Sequence, residues 1–222
     1  MSWEHSKTTT PLKRDFLRAF FAQTEDFFLT GGSALGMFYL DHRRSYDLDL
    51  FTMHDIDWLR TSQMLKGAAG NIGASMESIT ATPHFHRYSL TRGNDKEIID
   101  LVKEKTPQVD VEKKVFDGII VDTMREIGAN KMCTLLGRSE IKDIIDLYFL
   151  DTGGFLIWEH LDDVGKKEGG FDPGIVSFLL SEIKVHEIPD YCIKPLLVGE
   201  LTEFIESLRK RFARLALPDS EL

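Results

Sequence analysis

Two aspartates one residue apart, Asp47 and Asp49, lie in a stretch that reads as a strand over 46–52 and constrain this chain more than any other feature. Side chains alternate along a strand, so both carboxylates point to one face, about 6.5 Å apart along the backbone. The approach to them is equally specific. An apolar run over 27–29 reads as a short strand, and Gly31-Gly32-Ser33 breaks it. An apolar helical segment over 34–40 follows. A basic turn, His42-Arg43-Arg44-Ser45, then leads into the strand with the two aspartates.

The chemistry follows from this arrangement. Two carboxylates that close repel each other unless a cation lies between them. Mg²⁺ is the natural occupant, because it is hard, prefers oxygen and keeps room for waters and phosphates. Gly-Gly-Ser at a strand end that opens a helix offers backbone N–H groups and a hydroxyl to an anion. Gly32 and Ser33 are therefore candidate phosphate contacts, and Arg43 or Arg44 could add charge from the turn. A metal half-site beside a phosphate half-site suits a nucleoside triphosphate. Gly-Gly-Ser alone is an ordinary turn, and Asp-x-Asp alone is an ordinary solvated strand end. The two together, joined by an apolar helix and an Arg-Arg turn, are much more specific. A calcium-binding EF-hand loop does not fit, because its third acidic position and its glycine are missing after Asp49.

Composition sets wider bounds. The 222 residues are enough for one large domain or two small ones with a real core. Lys and Arg number 27 against 36 Asp and Glu, giving a net charge of −9. An acidic chain is no generic nucleic-acid binder, since phosphate binding is mainly cationic, although a local basic patch could still hold RNA. Two cysteines, Cys133 and Cys192, make a disulfide framework improbable and fit a reducing cytoplasm. No apolar run approaches twenty residues, so neither a signal peptide nor a membrane span is expected.

Around the central stretch, the pattern predicts a helix from Thr10-Pro11 with Leu12, Phe16, Leu17, Phe20 and Phe21 on its apolar face. Asp55 is expected to cap a helix running to about Asn71. Strands are expected over 74–82 and 85–91, with a hairpin turn at 92–95. His84 and His86 alternate onto one face, which would suit a metal, but two surface histidines beside a turn are the better reading. In the next strand, over 97–103, Asp100 stands alone among Ile98, Ile99, Leu101 and Val102. Burying an aspartate there is costly unless it is paired or bound to metal, so Asp100 is a third candidate ligand, with Glu97 as the fallback in another register. Residues 105–117 read as loop or edge, and 118–121 as a short strand closing a first domain at 1–122. A helical domain over 123–222 follows. Its first helix opens with a capping-box pattern at Thr123 and ends at Gly137. A second, capped by Ser139, carries Ile141 to Leu150. Further helices are expected over 155–167, 173–185 and 194–215. The last ends in basic Arg209-Lys210-Arg211 and Arg214, which read as a solvated helix end or a contact for RNA phosphates.

Gly32-Ser33, thirteen residues and then Asp47-Leu48-Asp49 resemble the signature of the nucleotidyltransferase superfamily that includes DNA polymerase beta. The fuller strings, Thr30-Gly31-Gly32-Ser33-Ala34-Leu35 and Arg43-Arg44-Ser45-Tyr46-Asp47-Leu48-Asp49, are similar to the AbiEii/AbiGii toxin branch. A second segment, with Lys131-Met132, Arg138 and Lys142-Asp143-Ile144-Ile145-Asp146-Leu147-Tyr148, resembles the lysine-containing helix and the basic-Asp-x-x-Asp-Leu-Tyr segment of the same branch. Lys142 departs from the family's frequent arginine, so the charge is kept and the bidentate guanidinium is lost.

The resemblance, which covers about residues 28–150, implies an α+β fold. Its parts would be a nucleotidyltransferase-like mixed or antiparallel sheet with flanking helices, then a C-terminal helical domain. It implies Asp47, Asp49 and Asp100 as Mg²⁺ ligands, with Lys131 and Asp143, or Asp146 one turn on, contributing to activity. The reaction expected is transfer of an NMP from an NTP to a hydroxyl acceptor. RNA, tRNA in particular, is the expected acceptor, and the chain would be the cytoplasmic toxin partnered by an antitoxin protein. Two other classes share these residues. A small-molecule nucleotidyltransferase of the aminoglycoside type would use the same metal site, and the net charge of −9 would attract a cationic acceptor. A non-catalytic nucleotide- or partner-binding protein would have no need of so many clustered carboxylates.

Overall fold

The computed structural model describes residues 3–137 and 140–217. The expected Ser139 cap and Arg138 lie outside the described residues. The chain divides into two compact units, 1–106 with 110–123, and 107–109 with 124–222.

The first unit is built on a mixed sheet. Its strands are β1 (Phe28–Thr30), β2 (Asp47–Thr52), β3 (Ser75–Ala81), β4 (Phe85–Arg92), β5 (Asp95–Lys103), β6 (Lys114–Phe116) and β7 (Ile119–Val121). Their order across the sheet is β3-β4-β5-β2-β1-β7-β6. The β2/β5 and β1/β7 pairs are parallel, and the other pairs are antiparallel. Strand β2 alternates strictly. Leu48, Leu50 and Thr52 are buried, while Asp47, Asp49 and Phe51 on the other face are half-buried. In register beside it, Ile99 and Leu101 of β5 face the same core as Leu48 and Leu50, and all four are fully buried. The apolar positions thereby fix the register, because a one-residue slip would turn the leucines outward and the aspartates inward.

Helix α1 (Pro11–Phe21) starts where proline presets the first turn and the Thr10 hydroxyl caps the Lys13 N–H. Its face of Leu12, Phe16, Leu17 and Phe20 is fully buried and packs on β5, β7 and α3 (Trp58–Asn71). Phe20 meets Phe21 and Phe27 edge-on and Phe16 in a stack. Helix α2 (Gly31–Ala34) begins at the first glycine and continues as a π-helical segment, Leu35–Leu40. Gly31, at φ +67°, turns the chain out of β1, and Gly32 already lies within the helix. The cap of α3 is Asp57, not Asp55: Asp57 Oδ1 accepts the Leu59 and Arg60 N–H groups, both at 3.1 Å. Asp55 is exposed and pairs with Lys103. His86 stacks on Trp58 with ring centroids 3.7 Å apart, and His84 lies 2.9 Å from the Lys105 ammonium. Among the described residues, neither histidine belongs to a cluster of metal-ligating groups.

The second unit is helical. It contains α4 (Met124–Gly137), α5 (Ile141–Thr152), a 3₁₀ turn (Ile157–His160), α6 (Leu161–Lys167), α7 (Pro173–Ser181) and α8 (Val198–Leu215). Helix α4 packs on α5, α6 and α7, and α8 packs on α5 and α7. Three helices are shorter than the sequence pattern suggests. Helix α8 starts only after Leu197, whose N–H donates to Glu200 Oε2 at 2.8 Å. Helix α7 ends at Ser181, and the extended Leu156 delays the turn that precedes α6. The basic end of α8 is engaged locally: Arg209 forks Glu206 at 2.7 Å twice, and the Arg211 guanidinium lies over the Trp158 ring at 4.5 Å. No helix among the described residues is long and apolar enough to cross a membrane.

The α1 face sets the stability of the first unit. Phe20→Ala is expected to cost about 3–5 kcal/mol, the usual range for emptying a fully buried aromatic site. Equilibrium urea unfolding measures it, and a cost below about 1 kcal/mol would contradict this packing.

Candidate active site

Strands β2 and β5 run parallel, and Asp49 is the register partner of Asp100 while Asp47 pairs with Ile98. This places carboxylate oxygens of Asp47, Asp49 and Asp100 within 4.8 Å of one another. Asp100 is buried, and the other two are half-buried. Oxygens around one Mg²⁺ sit about 2.0–2.1 Å from it, so opposite ligands are about 4.2 Å apart. The observed cluster therefore needs only a small closure around an ion. All three groups are hard oxygen donors, which suits Mg²⁺ or Mn²⁺ rather than a soft metal. Glu97 lies elsewhere. It sits on the α1 side of β5, takes a hydrogen bond from Thr10 Oγ1 at 2.7 Å and pairs with Lys13 at 3.4 Å.

The glycine turn holds this cluster at close quarters. Gly31 has φ +67°, and a Cβ there would lie 2.2 Å from Asp49 Oδ2. A Cβ on Gly32 would lie 2.4 Å from Arg43 Nη2. Both glycines thus clear space for charged groups. The buried Ser33 hydroxyl donates to the Asp47 carbonyl, tying α2 to β2. The Ser45 hydroxyl donates to Asp47 Oδ1 at 2.8 Å. The two turn arginines separate: Arg43 is buried against Gly32, with Nη1 donating to the Arg44 carbonyl at 3.1 Å, and Arg44 is exposed.

The comparisons with known proteins decide the family. The model for the nucleotidyl transferase AbiEii toxin of type IV toxin–antitoxin systems matches residues 15–219. The chain belongs to the AbiEii nucleotidyltransferase toxin family. No curated protein matches it. Among solved structures, it is similar to MenT4, a nucleotidyltransferase toxin from Mycobacterium tuberculosis. The TM-score is 0.59 at 15% identity, over 94% of this chain and 83% of that one. It is also similar to JHP933 from Helicobacter pylori, with a TM-score of 0.57 at 20% identity, over 91% and 93% of the two chains. At these identities the likeness is one of fold. The AbiEii family match makes the protein a nucleotidyltransferase, and the mixed sheet with flanking helices is the fold of such toxins.

In the helical unit of this AbiEii protein, Lys131 is buried and pairs with both Asp143, at 2.8 Å, and Asp146, at 2.7 Å. Both aspartates are fully buried, so the sequence alternatives for the second position meet on one lysine. Lys142 pairs with Glu140 at 2.8 Å.

Two basic residues beside the triad escape a motif reading. Lys13 is buried on α1, pairs with Glu97 and donates to the Ser45 carbonyl. Burial pushes its pKa down, against the pull of Glu97, Asp47 and Asp49. Its place among Leu12, Phe16 and Phe20 on the apolar face was the available signal. Arg87 on β4 grips Asp100 with two hydrogen bonds, Nε to Oδ1 at 2.8 Å and Nη2 to Oδ2 at 2.6 Å. Its pKa is pushed up, chiefly by that contact. Counting outward from the turn at Gly93-Asn94 puts Arg87 opposite Asp100. A separate cavity of about 540 Å³ lies around Thr52, beyond the other end of β2, with Glu25, Asp26, His54 and Asp57 among its lining residues.

Gly31→Ala tests the close approach. The left-handed backbone alone should cost about 1–2 kcal/mol, and the new methyl must also displace the Asp49 carboxylate. Gly67→Ala, inside α3 with no neighbour closer than 3.8 Å, is the control and should stabilise by about 0.5–1 kcal/mol. Thermal melts compare them, and equal effects at the two glycines would refute the cradle.

Proposed function

We propose that this AbiEii-family protein transfers an NMP from an NTP to a hydroxyl of RNA, with tRNA as the first candidate, and acts in the cytoplasm as a toxin restrained by an antitoxin protein. The observation that carries the reading is the convergence of three carboxylates from adjacent strands within 4.8 Å. Asp47, Asp49 and Asp100 would hold Mg²⁺, which when bound stabilises charge on the triphosphate and acidifies the acceptor hydroxyl. The protein's own groups do the rest. Asp100, buried and on the strand next to the Asp47–Asp49 pair, is the candidate to take the acceptor proton. Gly32 lets the Arg43 guanidinium lie against the start of α2, and Arg43 adds positive charge toward the phosphates. Ser33 has spent its proton on the Asp47 carbonyl, so its part is to fix the turn while its lone pairs stay available. Lys131 and Asp143 are the further activity residues by family resemblance. Asp143 and Asp146 both pair with the Lys131 side chain and hold it in place.

The net charge of −9 favours a second reading, in which the acceptor is a cationic small molecule such as an aminoglycoside. One assay separates the two. Protein is incubated with Mg²⁺, each α-labelled NTP in turn, and either total tRNA or an aminoglycoside. The wild type is expected to label tRNA. Asp47→Asn/Asp49→Asn should lose at least about a thousandfold in rate, as when a central charge-stabilising element is removed. Label on the aminoglycoside alone would establish the second reading. No label on either, with Mg²⁺-dependent NTP binding intact, would keep the site and move the search to other small-molecule or protein acceptors, and loss of both transfer and binding would point to a degenerate, non-catalytic site.

A further inference from the structure

Arg87 and Asp100 face each other across antiparallel β4 and β5, and the guanidinium fork occupies both oxygens of the carboxylate, at 2.8 and 2.6 Å. The two partners are unequally fixed. The Asp100 side chain is 6% exposed and the Arg87 side chain 42%, so the arginine reaches the carboxylate from solvent. Such a fork is a strong, charge-assisted contact. It is made to a carboxylate that also lies within 4.8 Å of two others.

That position gives the contact two consequences. First, Asp47, Asp49 and Asp100 carry three negative charges at close range, and Arg87 supplies a balancing cation. A divalent ion entering the cluster must compete with Arg87 for the lone pairs of Asp100, and it meets the repulsion of a nearby positive charge. Second, a planar guanidinium matches phosphate as well as carboxylate. Arg87 is exposed enough to move, and the Phe85 ring, 5.5 Å from its guanidinium carbon, offers a face to rest on.

We infer that Arg87 is a cationic placeholder for the divalent metal. It orients Asp100 and balances its charge before the ion arrives, then yields the carboxylate and engages the phosphate groups of the incoming substrate. The inference rests on the reading of the three aspartates as a metal site. No covalent bond changes in the exchange; one carboxylate passes from an arginine to a metal ion, and the arginine passes to a phosphate. Arg87 is accordingly a positioning residue before substrate binds and a phosphate contact afterwards.

The two halves predict effects of opposite sign. Arg87→Met in the full chain removes the competitor, so Mn²⁺ followed by electron paramagnetic resonance should bind about tenfold more tightly than in the wild type. The same variant should bind inorganic tripolyphosphate, supplied as its Mn²⁺ complex in a calorimeter, about tenfold more weakly. Arg87→Lys keeps the charge but loses the fork, and it should fall between the two proteins in both measurements. Melting temperatures establish that all three proteins are folded. Weaker or unchanged Mn²⁺ binding by a folded Arg87→Met would overturn the inference, because it would make the arginine a simple support for Asp100. Unchanged tripolyphosphate binding would overturn the hand-over. A wild type that binds no Mn²⁺ would sink the metal reading and this inference together, whereas Mn²⁺ binding of equal strength in both proteins would sink this inference alone.

Discussion

The mutual repulsion of Asp47, Asp49 and Asp100 is the constraint around which the first unit is arranged. Three carboxylates within 4.8 Å are unfavourable unless cations or hydrogen bonds offset them. The offsets come from several elements. Arg87 forks Asp100 from β4, the Ser45 hydroxyl serves Asp47 from the turn, and Lys13 brings a buried positive charge from α1. What keeps the three acids together is apolar. Leu48, Leu50, Ile99 and Leu101 fill the opposite face of β2 and β5 and lock their register. The core thus stabilises the fold and holds an arrangement that its own electrostatics oppose. Conflict of this kind, sustained by surrounding packing, is characteristic of functional sites.

The two arginines of the basic turn show how little sequence adjacency determines role. Arg43 lies buried against Gly32, where a side chain larger than hydrogen would collide with it, while Arg44 faces solvent. The lysine of the helical unit illustrates another use of charge. Lys131 sits between Asp143 and Asp146, and removing the lysine would leave two buried carboxylates without that shared cation.

Much of this was legible in the chain. The alternation around Asp47 and Asp49, the isolated Asp100 in an apolar strand, and the Gly-Gly-Ser break were sufficient to anticipate which residues would meet. Local spacing encodes faces, and the apolar partners encode register. Arg87 was missed because its role depends on a strand pairing, not on a motif. Lys13 was missed because an apolar helix face draws attention to its hydrophobic residues. The expected cap at Asp55 missed the actual cap, Asp57, by two residues of chain, a margin below what propensity can settle. Helices α7 and α8 came out shorter because apolar periodicity marks the body of a helix more firmly than its ends.

The central claim is that one divalent ion is held by acids from β2 and β5. Anomalous diffraction from crystals grown with Mn²⁺ tests it most directly. The account predicts a peak within about 2.5 Å of oxygens from Asp47, Asp49 and Asp100, allowing for an ion slightly larger than Mg²⁺. A peak only in the acidic cavity beside Glu25, Asp26 and Asp57, or none at all at saturating Mn²⁺, would contradict it.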